Sequence, residues 1–331
     1  MKNISKSILL LFTIAVISTS CSSDSDNNKP IVPPTPGSVK DIYVCGTEKK
    51  SDAGNNIATY WKNGVAVYLS DGTKNEGLID IEVVGDDVYA CGYERNATNT
   101  QSIPKYWKNE IPIILSSLFG NANCIAVSEN NVYIGGSAGD KAVFWINDAA
   151  NKNILGATSY PTNTINDIKI VKTASGTDIY YVGLDDSKAV YWKNSTKTTL
   201  TDGYATAAQI VGSDIYLSGY TSPNGGYWKN TTFTPLIDSG ARTFGISVVG
   251  NDVYTCGEFN SIATYWKNET RTELSILSSG SGQINDIVVA NNNVYNCGFI
   301  YRKAVYWINK TAFPLSTFNF TGASAIFLTY Y

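Results

Sequence analysis

The sequence predicts an all-β fold: a seven-bladed β-propeller with four antiparallel strands per blade. Three observations predict it. First, Tyr-Trp or Phe-Trp recurs seven times, each Trp followed by Lys-Asn or Ile-Asn: Trp61, Trp107, Trp145, Trp192, Trp228, Trp266 and Trp307. Second, Asp/Asn, Ile/Val, Tyr, two residues and Gly stand upstream each time, with Tyr at 43, 89, 133, 180, 216, 254 and 295. Third, a Leu follows each Trp, eight residues on in six repeats and ten in one, at Leu155. Residues 38–331 number 294, which is 42 per repeat.

The segment before the repeats is expected to be a signal peptide over residues 1–20. Lys2 and Lys6 precede an apolar run from Ile8 to Ile17. That run is too short to span a bilayer but suits a signal-peptide core. Ser18, Thr19 and Ser20 before Cys21 resemble a bacterial lipobox, with Ser18 where that motif usually carries Leu. The resemblance implies that Cys21 is lipidated. Ordinary secretion with a free Cys is the alternative. Removing residues 1–20 takes away two Lys and no acid, moving the net charge from −3 to −5. The run Ser-Ser-Asp-Ser-Asp-Asn-Asn after Cys21 resembles the acidic export signal of Bacteroidota surface lipoproteins. Residues 21–37 then form a linker, with Pro30, Pro33, Pro34 and Pro36 making a semi-rigid spacer.

From residue 38 each repeat reads as four strands. The first is short and apolar, as in Ile81-Glu82-Val83-Val84. A turn such as Gly85-Asp86-Asp87 follows, made of residues that adopt positive φ. The second strand carries the Tyr and ends at the Gly. The third carries Tyr-Trp, and the fourth the Leu. The first repeat lacks its first strand, whereas Ala325-Ile326-Phe327-Leu328-Thr329 at the other end matches it. The C-terminal segment is therefore expected to supply the innermost strand of blade one and close the ring.

Composition excludes several functions. The absence of His removes Ser–His–Asp and Cys–His catalysis and every His-ligated metal. A pI near 5.1 argues against nucleic acid. Cys45, Cys91, Cys256 and Cys297 precede landmark Gly residues, where other repeats place small residues or Val; with Cys124 they are expected to be buried free thiols. The Trp and most landmark aromatics are expected to pack between blades, with sugar stacking as the alternative.

Two features are candidate sites. Asp80, Asp167 and Asp286 occupy the presumed first position of the inner strand, at the mouth of a central channel. They could ligate a hard cation such as Ca²⁺, or be solvated, or cap turns. The Gly-to-Trp distance is fifteen residues in the first two repeats and nine in the other five. The extra residues include Glu48, Lys49, Lys50 and Asp52 in one loop, and Glu94 and Arg95 in the other, with Tyr93 at its base. Binding residues concentrate on such loops, so a lip beside the channel mouth is a candidate binding surface.

The Asp-Val-Tyr-x-x-Gly and Tyr-Trp-Lys-Asn repeats over residues 38–331 resemble those of uncharacterised β-propeller lipoproteins of Bacteroidota. The resemblance implies the fold and brings no activity with it. The expected function is a lipid-anchored binding module at the outer membrane or cell surface, with no intrinsic catalysis and no cofactor. Its partner would be a protein or glycan, and its contact with the membrane would run through the lipid on Cys21. The alternative is a glycan binder or a carbohydrate-active hydrolase or lyase using Asp or Glu at the channel mouth.

Overall fold

The computed structural model describes residues 37–156, 162–174, 176–274 and 281–331. The predicted signal peptide, Cys21 and most of the Pro-rich linker lie outside the described residues. Within them the chain forms seven four-stranded antiparallel sheets, one per repeat. Counting blades from the N-terminus, the inner strands of blades two to seven are Glu76–Val84, Ala122–Ser128, Thr164–Thr173, Tyr204–Val211, Arg242–Val249 and Gly282–Ala290.

Blade one is closed as expected. Gly322–Tyr330 pairs antiparallel with Val39–Glu48, which pairs in turn with Ile57–Lys62 and then Val65–Tyr68. Tyr331 N–H donates to Ser38 O, and Gly37 N–H donates to Tyr331 O, each at 3.0 Å.

The landmark residues hold the blades together. All seven Trp are at most 1% exposed. Trp107 packs on Tyr43, Cys45 and Leu69 of the preceding blade, and Trp145 repeats this on Tyr89, Cys91 and Leu115. Trp61 completes the ring against Tyr295 and Cys297. Burial of such large rings is the main stabilising term of the interfaces. Cys45, Cys91, Cys124, Cys256 and Cys297 are free and buried in these same layers. The ten-residue spacing to Leu155 comes from a 3₁₀ turn, Ala149–Asn151, capped by Asp148.

The Lys-Asn and Asp-x-Tyr signatures meet on the face opposite the strand-two-to-three loops. Asn63, at φ 51°, accepts from Ile42 N–H at 2.9 Å and donates to Asp41 at 2.7 Å. Lys62 pairs with Asp41 at 3.1 Å and lies 5.2 Å from the Tyr43 ring centre.

The inner strands correct one expectation. They begin several residues before the aspartate positions, and each contains a β-bulge. In blade two, Leu78 pairs with Gly92 and Asp80 with Cys91, so Ile79 is the extra residue. Asp80, Asp167 and Asp286 thus follow the bulge rather than open the strand. The landmark Gly faces the bulge. A Cβ on Gly92 would sit 1.9 Å from Gly77 O, and on the other six landmark Gly residues 1.8–2.0 Å from the equivalent carbonyl. Only Gly tolerates that approach.

Candidate functional site

The bulges make the site. A regular strand alternates its side chains between two faces, but an inserted residue puts two consecutive side chains on one side. Asn166 and Asp167 therefore both line the channel, as do Asn285 with Asp286 and Thr206 with Ala207. The bulged residues form a ring of seven: Ile79, Asn123, Asn166, Thr206, Phe244, Asn285 and Ser324. They surround a cavity of about 360 Å³ at the end of the channel where the inner strands begin. A second cavity of about 500 Å³ occupies the other half. Asp80, Lys169, Ala207 and Asp286 line both and so mark the waist.

The ring is held by the blade behind it. Asn123 Nδ2 donates to Ile165 O at 2.9 Å and to Thr164 Oγ1 at 2.7 Å. Asn166 donates to Ala205 O at 2.8 Å and Asn285 to Ala323 O at 2.7 Å. In each pair the acceptor belongs to the next blade. These bonds fix which amide edge meets the wall, and so which is left for the cavity.

Below the ring, the aspartates act as blade-to-blade clamps. Asp80 accepts from Ile81 N–H at 2.8 Å and, on its other oxygen, from Ile125 N–H of the next blade at 2.9 Å. Asp167 does the same with Ile168 and Ala208, and Asp286 with Ile287 and Ile326. Lys169 pairs with Asp167 at 2.8 Å. Burial pushes the Asp80 carboxyl up to about 7 and the Asp286 carboxyl up to about 6, against the pull of the backbone donors. Burial also raises Glu82, which accepts from Val127 N–H at 2.9 Å. Burial alone would lower the Lys169 ammonium, but the attraction of Asp167, Asp80 and Asp286 outweighs it and raises it. Among the described residues, no group of three or more His, Cys, Asp and Glu is placed to hold a metal ion.

The predicted lip residues stand outside the channel itself. None of Glu48, Lys49, Lys50, Asp52, Tyr93, Glu94 or Arg95 lines the channel cavities. Glu48, Tyr93, Glu94 and Arg95 belong to strands, which run to Glu48 and Arg95 and leave shorter loops over 49–56 and 96–101. Glu48 and Glu94 are buried. Glu48 accepts from Ser316 Oγ at 2.6 Å, and Asp52 from Asn319 N–H at 2.8 Å. Lys49 lies 5.4 Å from the Phe320 ring centre, and Lys50 lies 5.9 Å from that of Tyr68. The first insert therefore grips the connection that leads into the closing strand. Glu94 takes Lys74 and Lys105, the latter at 3.0 Å, and Lys105 also pairs with Glu76. Arg95 stacks 5.6 Å from the Tyr93 ring centre.

Period-two reading of the inner strand missed the ring of bulged residues. A signal was present: an invariant Gly, three residues after each landmark Tyr, asks what approaches it.

No protein-family model matches the chain, and no curated protein matches it. Among solved structures it is similar to the extracellular domain of a hybrid two-component system from B. thetaiotaomicron. The TM-score is 0.46 at 10% identity, and the match covers 78% of this chain and 37% of that one. No helix among the described residues is long and apolar enough to cross a membrane.

Proposed function

We propose that this β-propeller is an exported, lipid-anchored binding module that takes its ligand at the channel mouth and performs no chemistry. One observation carries the site: seven bulges turn seven side chains toward one concave mouth. Bulges gather next to functional sites, where they re-aim side chains. Export and anchoring rest on the sequence: a basic start, an apolar run, Cys21 and a Pro-rich spacer that holds a domain off a membrane.

A second reading has its own observation. Two carboxyls at the cavity floor, Asp80 and Asp286, are pushed up toward neutrality, as a general acid requires. Against it, both oxygens of each already accept backbone N–H groups.

The test uses the mature chain with Cys21→Ser, immobilised and screened against oligosaccharides and purified envelope proteins. Ala207→Trp fills the mouth cavity from its floor and should abolish binding while the fold persists. Undiminished binding by the plugged variant moves the working surface elsewhere. Release of reducing ends from a bound oligosaccharide, lost in Asp80→Asn, would support the enzyme instead. Labelled fatty acid should enter wild type and not Cys21→Ala.

A further inference from the structure

The mouth has a definite chemistry. Its seven bulge positions carry no charged side chain, in a chain that is 16% charged. Five of them are amides or hydroxyls, and Ile79 and Phe244 are apolar. The amides are oriented. Because Nδ2 of Asn123 and Asn166 is bound to backbone carbonyls of the next blade, each Oδ1 is a fixed acceptor. No donor meets either Oδ1 among the described residues. Fixed acceptors select a ligand rich in donors.

Charge narrows the class. The walls below carry Asp80, Glu82, Asp167 and Asp286 against a single Lys169. An anion would meet net negative charge at close range. At the mouth a cation finds no free aspartate oxygen, because both oxygens of Asp80, Asp167 and Asp286 hold backbone N–H groups, and Glu82, with one oxygen on Val127 N–H, lines only the second cavity. A purely apolar ligand would strand the amides and hydroxyls without partners. What remains is uncharged, hydroxyl-rich and amphipathic, with one C–H face for Phe244. The cavity of about 360 Å³ sits at the small end of ligand sites.

We propose that the channel mouth binds a neutral saccharide of one or two rings, its hydroxyls donating to Asn123 and Asn166 and one ring face lying on Phe244. This deepens the binding-module reading and rests on it.

The test titrates the mature Cys21→Ser chain calorimetrically with a panel of neutral hexoses, N-acetylhexosamines and their disaccharides. Glucuronate and N-acetylneuraminate serve as charged counterparts. At least one neutral sugar should bind with a Kd of about 1 mM or tighter, and its charged counterparts at least about tenfold more weakly. Phe244→Ala and Asn166→Ala should each weaken binding about tenfold. Asn166 also ties two blades, so Ser324→Trp, which occludes the mouth from a position outside those bonds, should abolish binding with melting unchanged. No binding by any neutral sugar at about 10 mM overturns the proposal, as does equal or better binding of the anions. Sugar binding that survives Ser324→Trp overturns it too. If no sugar binds yet an envelope protein is captured and lost in Ala207→Trp, the saccharide proposal falls while the binding-module reading stands. If binding of every kind survives both plugs, both fall.

Discussion

Two residues that vary together explain the repeat signature. Blades one, two, four, five and six carry Asp two residues before the landmark Tyr, and Lys after Trp. Blades three and seven carry Asn131 and Asn293 instead, and there Ile146 and Ile308 replace the Lys. The reason is local. Lys193 pairs with Asp178 at 2.8 Å and covers Tyr180 at 5.4 Å from its ring centre; an Asn offers no such charge, so the cation goes. The Asn after Lys or Ile stays in all seven because it adopts φ 45–67° and caps the Asp or Asn strand start. These ion pairs, with their Lys ends in solvent, add little stability. Buried Asn296 is the opposite case: among the described residues neither its Oδ1 nor its Nδ2 finds a partner. The equivalent slot holds Leu217 in blade five. Asn296→Leu removes an amide that costs about 1–3 kcal/mol to bury unpaired, so the melting temperature should rise by several degrees. A fall in the thermal scan would mean that Asn296 is satisfied in solution.

Among the elements, the closing strand bears the most. Gly322–Tyr330 fills blade one, and Asp286 of blade seven reaches across to Ile326 N–H at 3.0 Å. The first insert adds to this closure through Glu48–Ser316 and Asp52–Asn319. Deleting residues 322–331 should expose a sheet edge and give a chain that aggregates or melts far below wild type. Replacing 49–56 with a two-residue turn should lower the melting temperature by several degrees, because Asp52 and Lys49 leave the closing connection and Asn55 and Asn56 leave the 72–76 segment. Replacing 96–101 should leave it unchanged, since Asn96 there bonds mainly within its own loop. Equal melting of both trimmed variants would remove the first insert from the closure. The closing strand was legible because its apolar pattern matched a gap elsewhere in the repeat. The roles of the inserts were not, because length reports a loop and says nothing of what it lies against. The bulges were hidden for a related reason. A one-residue insertion leaves composition intact and shifts only which side each residue faces.

Across the whole molecule the channel aspartates set a pH dependence. Asp80, with a carboxyl at about 7, Asp286 at about 6, and Glu82, also raised, hold protons in the fold that the unfolded chain has already released. Their neighbours across the channel are Asp167 and Lys169. The folded state then binds more protons than the unfolded one between about pH 4 and 7, so stability falls as pH rises through that window. The half-buried Asp41, Asp87, Asp178, Asp214 and Asp252 are lowered by their Asn and Lys partners, Asp41 against a larger opposing effect of burial. Their contribution is present above about pH 4 and lost below it. The melting temperature should therefore peak near pH 4–5 and decline toward pH 8, with a gentler decline in Asp80→Asn. A melting temperature that climbs from pH 5 to 8 would contradict the buried carboxyls.

The most direct test of the account is where a ligand touches the ring. Hydrogen exchange is measured on the mature Cys21→Ser chain, with and without a saturating ligand from the saccharide panel or the envelope screen. The account predicts protection at the bulges of the inner strands, around residues 79, 123, 166, 206, 244, 285 and 324. Protection confined to the loops 49–56 and 96–101, with the bulges unchanged, would place the working surface on the lip and contradict it.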